Sequence, residues 1–105
     1  MERITSRHNP VVARYRDAAR GQVEGVILLD GPHLVREAIS AHVPVQHVLA
    51  AREALDGDEL PALLDTLPPG VPVAAASSAV MDAVSPVRSS STIVALANRP
   101  SEAEG

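Results

Sequence analysis

Apolar and polar residues alternate along the chain in blocks that predict regular elements. Asn9-Pro10 reads as a helix cap followed by proline at the first helical position. Val11, Val12, Tyr15, Ala18 and Ala19 then fall on one helical stripe, and Gly21 ends it. Gly25–Asp30 is a short continuous apolar run, the mark of a strand buried on both faces. Gly31-Pro32 stops that strand and opens a helix that Pro44 ends. Its inner stripe is Leu34, Val35, Ala38, Ile39 and His42, with His33, Arg36, Glu37 and Ser40 pointing away. Val45–Ala50 is a second strand. Asp58 caps a helix carrying Leu60, Leu63, Leu64 and Leu67, which Pro68-Pro69-Gly70 breaks. Val71–Ala75 is a third strand. Ser77 or Ser78 caps a short helix with Val80, Met81 and Val84. Ser85–Ser91 is a polar loop and Thr92–Ala97 a last strand.

Strands alternating with helices predict a four-stranded, mostly parallel sheet with helices on both sides, an α/β fold of three layers, α/β/α. Residues 1–97 form the domain, and residues 98–105 read as a polar tail or the start of a linker. Length agrees, because 105 residues suit one domain with one modest core. Tyr15 is the single aromatic, so that core is aliphatic. Absence of cysteine excludes disulfides and thiolate metal sites. No apolar run approaches a membrane span, and the N-terminus is too polar for a signal peptide, so a cytoplasmic location is expected.

Charge is uneven. There is no lysine, and all nine cations are arginine. Arg3, Arg7, Arg14, Arg16 and Arg20 face only Glu2 and Asp17 in the first twenty residues, giving that segment +3. The other 85 residues carry −7. An acidic total argues against a nucleic-acid partner, and a segregated basic end weakens that objection.

Four places invite chemistry. Gly31 sits at a strand-to-helix turn, where free backbone N–H groups attract anions, or where glycine serves only to reverse the chain. One glycine and a proline do not make a triphosphate-cradling loop. His8, His33, His42 and His47 show no metal-ligand spacing, and no metal site is expected. Ser89, Ser90 and Ser91 lack a nucleophile elbow and read as a solvated loop, or as hydroxyls beside Arg88 that contact an anion. Thr5–Pro10 with Arg14, Arg16 and Arg20 is either a solvated basic helix face or a grip on a phosphate backbone, which guanidinium forks suit.

Three segments, in order, resemble one family. Ile4–Val12 is similar to the opening S-x-x-N-P-x-[VI] of the substrate-binding domain that precedes SpoU/TrmH-type RNA 2′-O-ribose methyltransferases. Leu29–Ala38 resembles that domain's [VI]-E-G-x-[HR]-L-V-x-E-A, and Val84–Ala95 its closing S-P-x-x-[ST]-P-x-G-[IV]-V-A. Asp30 stands where glutamate is usual, and Ser91-Thr92 where a glycine is usual. The resemblance implies a fold similar to kink-turn-binding ribosomal proteins and a grip on structured RNA, rRNA or tRNA. In the family, a following knotted domain binds S-adenosylmethionine and transfers the methyl group. Nothing in residues 1–105 resembles it, so no cofactor and no catalysis are expected of this chain alone, and the methyltransferase domain is expected downstream. The expected RNA contacts are Arg7, His8, Asn9 and Arg14 at the first helix, Gly31, His33 and Arg36 at the strand-to-helix turn, and Arg88, Ser89 and Ser90 in the last loop. The alternative from another class is a protein-interaction or dimerisation module of the same fold.

Overall fold

The computed structural model describes residues 2–84 and 91–99. Its elements are β1 (Glu2–Ile4), α1 (Pro10–Ala19), β2 (Val26–Asp30), α2 (Pro32–Ser40), β3 (Val45–Ala51), a 3-10 turn (Arg52–Asp56), α3 (Glu59–Leu64), β4 (Val73–Ala76), α4 (Ser78–Val84) and β5 (Ile93–Asn98). The three-layer α/β/α expectation holds. Val12, Tyr15 and Ala18 of α1 with Val80, Met81 and Val84 of α4 cover one face of the sheet. Val35 and Ala38 of α2 with Leu60 and Leu63 of α3 cover the other. Alternation along β5 feeds both layers, with Val94 and Leu96 on the first face and Ile93, Ala95 and Ala97 on the second.

The sheet itself corrects the expected number of strands, while four of its strands point one way as a mostly parallel sheet requires. It has five strands in the order β1-β4-β3-β5-β2. The added strand is β1, which pairs parallel with β4 (Glu2 opposite Ala74, Ile4 opposite Ala76). Only Ile4 of its three residues is buried, so hydropathy carries no signal for it; backbone bonding makes the strand. β3 and β4 are also parallel, whereas β5 runs antiparallel to both β3 and β2. The reversal has a simple cause. Ala76 ends β4 opposite Ala51, and Ile93 begins β5 opposite Ala50, so the chain leaves and re-enters the sheet at one end. The seven-residue α4 and the segment after it return the chain to that end instead of carrying it to the other.

Helix ends follow local chemistry. Asn9 caps α1 through its Oδ1, which accepts from Val11 N–H at 2.9 Å. Ser77 Oγ accepts from Val80 N–H at 3.3 Å, as its sequence position suggests. Asp58 occupies the cap position of α3 without a side-chain cap bond. That helix stops at Leu64, leaving Leu67 half-buried in the turn beyond. The inner stripe expected of α2 loses both its ends: Leu34 is 42% exposed, and His42 lies past the helix at φ 60°. His42 N–H donates to Ile39 C=O (3.1 Å) and Val43 N–H to Ala38 C=O (2.9 Å), a Schellman closure built on a left-handed histidine. α1 closes the same way on Gly21 (φ 73°), with Gln22 N–H on Asp17 C=O at 2.9 Å.

One polar pair is built into the core. Tyr15, fully buried on α1, meets His47 of β3, with Tyr15 Oη 2.7 Å from His47 Nδ1 and the rings edge to face at 5.6 Å. Burial pushes the phenol far above its usual range, against a smaller pull from the Arg14 charge. Burial, then Arg14, lowers His47, while Glu2 opposes them. A protonated phenol therefore donates to a neutral imidazole.

Three expectations follow from these contacts. His42→Gly, relieving the left-handed backbone, raises unfolding free energy by about 0.5–1 kcal/mol in urea titrations. For His47 the folded state resists protonation, so below the unfolded value of about 6.5 the unfolded chain binds a proton that the folded chain refuses. Stability is full above that value and falls as pH drops through the interval beneath it. Tyr15→Phe strands Nδ1 without its donor and costs about 1–3 kcal/mol at pH 7.5. Chemical denaturation at pH 7.5 and 5.5 checks both, and unchanged stability between the two pH values in the parent protein contradicts the burial of a neutral imidazole.

Candidate nucleic-acid interface

The four strands β1, β4, β3 and β2 all point one way, so their C-terminal ends share one rim of the sheet, where β5 begins. Open α/β sheets carry their ligand sites at this rim. Backbone bonds hold it together: Ser77 N–H to Ile4 C=O (3.1 Å), Ala51 N–H to Thr92 C=O (2.8 Å) and Gly31 N–H to Ile93 C=O (2.9 Å). Four strand spacings separate its ends, about 19 Å.

At the β1 end, Thr5–Asn9 turns tightly into α1. Asn9 N–H donates to Ser6 C=O (3.1 Å), and His8 N–H to Ser6 Oγ (3.1 Å). Arg7 and His8 are exposed on this turn. Asn9 is half-buried with its carbonyl oxygen committed to Val11, which leaves its amide nitrogen for an outside partner. Arg14 lies one turn further along α1, about 6 Å from Pro10, exposed and close enough for its charge to act on Tyr15 and His47. Arg3, Arg16 and Arg20 are exposed too. Among the described residues, none of these five arginines lies within 4 Å of a carboxylate; the ion pair found is His33 with Glu37.

At the β2 end, Gly31 adopts φ 109° and ψ 158°, a region essentially closed to side chains. The chain-reversal role suggested by the sequence is therefore real. Its N–H is used by Ile93, and Pro32 has none, so α2 presents the amides of His33 and Leu34 at its mouth without a side-chain cap. Ser91 Oγ donates to Asp30 Oδ1 beside this turn, tying the start of β5 to the end of β2. His33 Nε2 sits 3.2 Å from Glu37 Oε2 on the exposed face of α2, where His33, Arg36, Glu37, Ser40 and Ala41 line an open concavity of about 440 Å³. Arg88, Ser89 and Ser90 lie outside the described residues.

Between the two ends is a second concavity of about 360 Å³, lined by Ala51, Arg52, Glu53, Ala54, Ala76, Ser78, Met81, Ser91 and Thr92. Arg52 is not singled out by the sequence, and Ser78 only as a possible helix cap. The signal available was positional, since each stands just past the end of a buried strand. Among the described residues no three His, Asp or Glu side chains gather as a metal site requires, and no helix is long and apolar enough to cross a membrane.

A mixed sheet sandwiched by helices is a fold that this chain shares with solved RNA methyltransferases. A crystal structure of an RNA 2′-O ribose methyltransferase superposes with a TM-score of 0.78 at 23% identity, over 95% of this chain and 38% of that one. The rRNA methyltransferase from Sinorhizobium meliloti superposes at 0.71 with 16% identity, over 94% of this chain and 37% of that one, and its AdoMet-bound form at 0.71 with 15% identity. The chain thus spans less than two-fifths of the length of these structures, with which it shares the fold. No curated protein matches it. Residues 1–104 match the family described as thiostrepton-resistance methylase, N terminus, and the chain belongs to that family.

The rim depends on Gly31. Gly31→Ala forces a side chain into the φ 109° region and sets a Cβ 3.9 Å from Ser91 Oγ, so strain rather than collision decides the outcome. A loss of about 1–3 kcal/mol in denaturant unfolding is expected, and a variant as stable as its parent contradicts the conformational role.

Proposed function

We propose that this domain holds structured RNA, rRNA or tRNA, for a 2′-O-ribose methyltransferase, and that methyl transfer belongs to another part of the enzyme. One observation carries the reading: segments of unlike sequence, Thr5–Asn9, Gly31–His33 and Ser91-Thr92, share one rim of the sheet, and among the described residues Arg3, Arg7, Arg14, Arg16 and Arg20 are exposed without carboxylate partners. Arg7 and His8 with Arg14 offer phosphate contacts at one end, supported by the Asn9 cap. The first amides of α2 with His33 and Arg36 offer them at the other, and Arg88, Ser89 and Ser90 belong to the segment that enters the rim at Ser91. Arginine forks match phosphate oxygens bidentately, and a rim about 19 Å wide suits RNA read by shape and backbone. With a net charge of −4, binding by the domain alone is weak and salt-dependent, and tethering to the enzyme's other domain raises it.

No step of methyl transfer is assigned to these residues. The buried pair Tyr15 and His47 is enclosed between α1 and the sheet and lines neither rim concavity. S-adenosylmethionine, and the chemistry it supplies as methyl donor, are assigned to the rest of the enzyme.

A fluorescent rRNA stem-loop titrated at low salt tests the contacts. Arg7→Ala/Arg14→Ala is expected to bind more weakly, with a slope of log K against log salt shallower by about 2. Equal affinity and slope in both proteins, or no binding by either, defeats the assignment. Incubated with S-adenosylmethionine and the same RNA, the chain is expected to leave the ribose unmethylated.

A further inference from the structure

The two edges of the sheet are unlike. β1 is three residues long and carries Glu2 and Arg3, features that discourage edge pairing. β2, at the opposite edge, is Val26-Ile27-Leu28-Leu29-Asp30, uncharged for four residues, with Val26, Ile27 and Leu28 only half-buried. Hydrogen bonding fixes which of its backbone groups face outward. Arg99 N–H bonds Gly25 C=O and Gly31 N–H bonds Ile93 C=O, so residues 25, 27, 29 and 31 spend their groups on β5. The N–H and C=O of Val26 and Leu28 therefore point away from the sheet, and among the described residues no strand pairs with them. A concavity of about 360 Å³ runs along this edge, rimmed by the small residues Ala18, Ala19 and Gly21.

We infer that this edge binds the same edge of a second copy of the chain, β2 antiparallel to β2 about a two-fold axis centred on Leu28, joining the two sheets into one. A strand is the occupant that satisfies alternating outward donors and acceptors, and β2 is self-complementary when reversed. In this register Leu28 exchanges both bonds with its symmetry mate, and Val26 faces Asp30 of the second copy. Asp30 then approaches Arg99, which lines the concavity at the Gly25 end of the strand, so opposite charges meet at both ends of the seam. An axis through Ile27 would instead set Asp30 against Glu24, a like-charge pair that disfavours it. The inference does not rest on RNA binding: the seam reaches the rim only at Asp30 and Gly31, and the end that carries Arg7, His8 and Arg14 lies at the opposite edge of the sheet.

Sedimentation of the chain over a concentration series tests it, together with hydrogen exchange at the Val26 and Leu28 amides. Mass is expected to rise from one chain toward two, with protection of both amides appearing only as it does. Leu28→Pro removes an outward N–H that β5 does not use, so it is expected to keep the parent's circular dichroism and to stay monomeric. A single-chain mass at every concentration overturns the inference, as does undiminished association of Leu28→Pro. Protection of both amides in a monomer also overturns it and assigns the edge to the chain's own residues 100–105. Should Leu28→Pro fail to fold, exchange in the parent protein decides alone.

Discussion

The insertion of β5 between β3 and β2 is the constraint on which the structure rests. Its buried residues Ile93–Ala97 bond to β3 on one side and β2 on the other, and its side chains enter both helical layers. Without it, β2 has no strand pairing with the β1-β4-β3 half of the sheet. Because it is buried on both faces it must be apolar throughout, and Ala95 and Ala97 let the α2 and α3 layer approach closely on the second face. Its reversed direction then brings the segment before Ile93 back to the rim where the other four strands end.

That rim links architecture to function. Strand ends leave backbone groups that the ladder cannot use, and the loops there are free to carry arginine, histidine and serine without disturbing the core. Two of the places at which this chain departs from the pattern it resembles illustrate the coupling. Asp30 replaces the usual glutamate and Ser91 adjoins the usual glycine position, and in the fold the Ser91 hydroxyl donates to the Asp30 carboxylate. Two departures far apart in sequence therefore meet in one bond that locks the end of β2 to the start of β5. The cationic surface survives a net negative charge because the exposed arginines of α1 and its approach are not drawn onto carboxylates.

Much of the candidate site was legible as pieces. Asn9-Pro10 announces a capped helix start, and the cap forms. Gly31-Pro32 announces a strand-to-helix turn, and the φ of 109° shows why glycine stands there. The place of Arg52 and Ser78 in one concavity was not legible, because it exists only once β3 and β4 lie side by side. The pairing of Tyr15 with His47 was hidden for the same reason: 32 positions separate them, and periodicity reports which way a side chain faces, never what it meets.

Sequence alone determined the order and type of the main elements and the segregation of arginine at the N-terminus, since these depend on local periodicity, capping and composition, whereas the two-sided burial expected of Gly25–Asp30 fails because β2 is a half-buried edge strand. Tertiary structure decided that β1 exists, that β5 runs backwards, that β2 ends as an open edge and that three distant segments share a rim. Each of those is a question of which backbone bonds to which. Hydrogen bonds between strands join residues tens of positions apart, so neighbouring side chains carry no record of them.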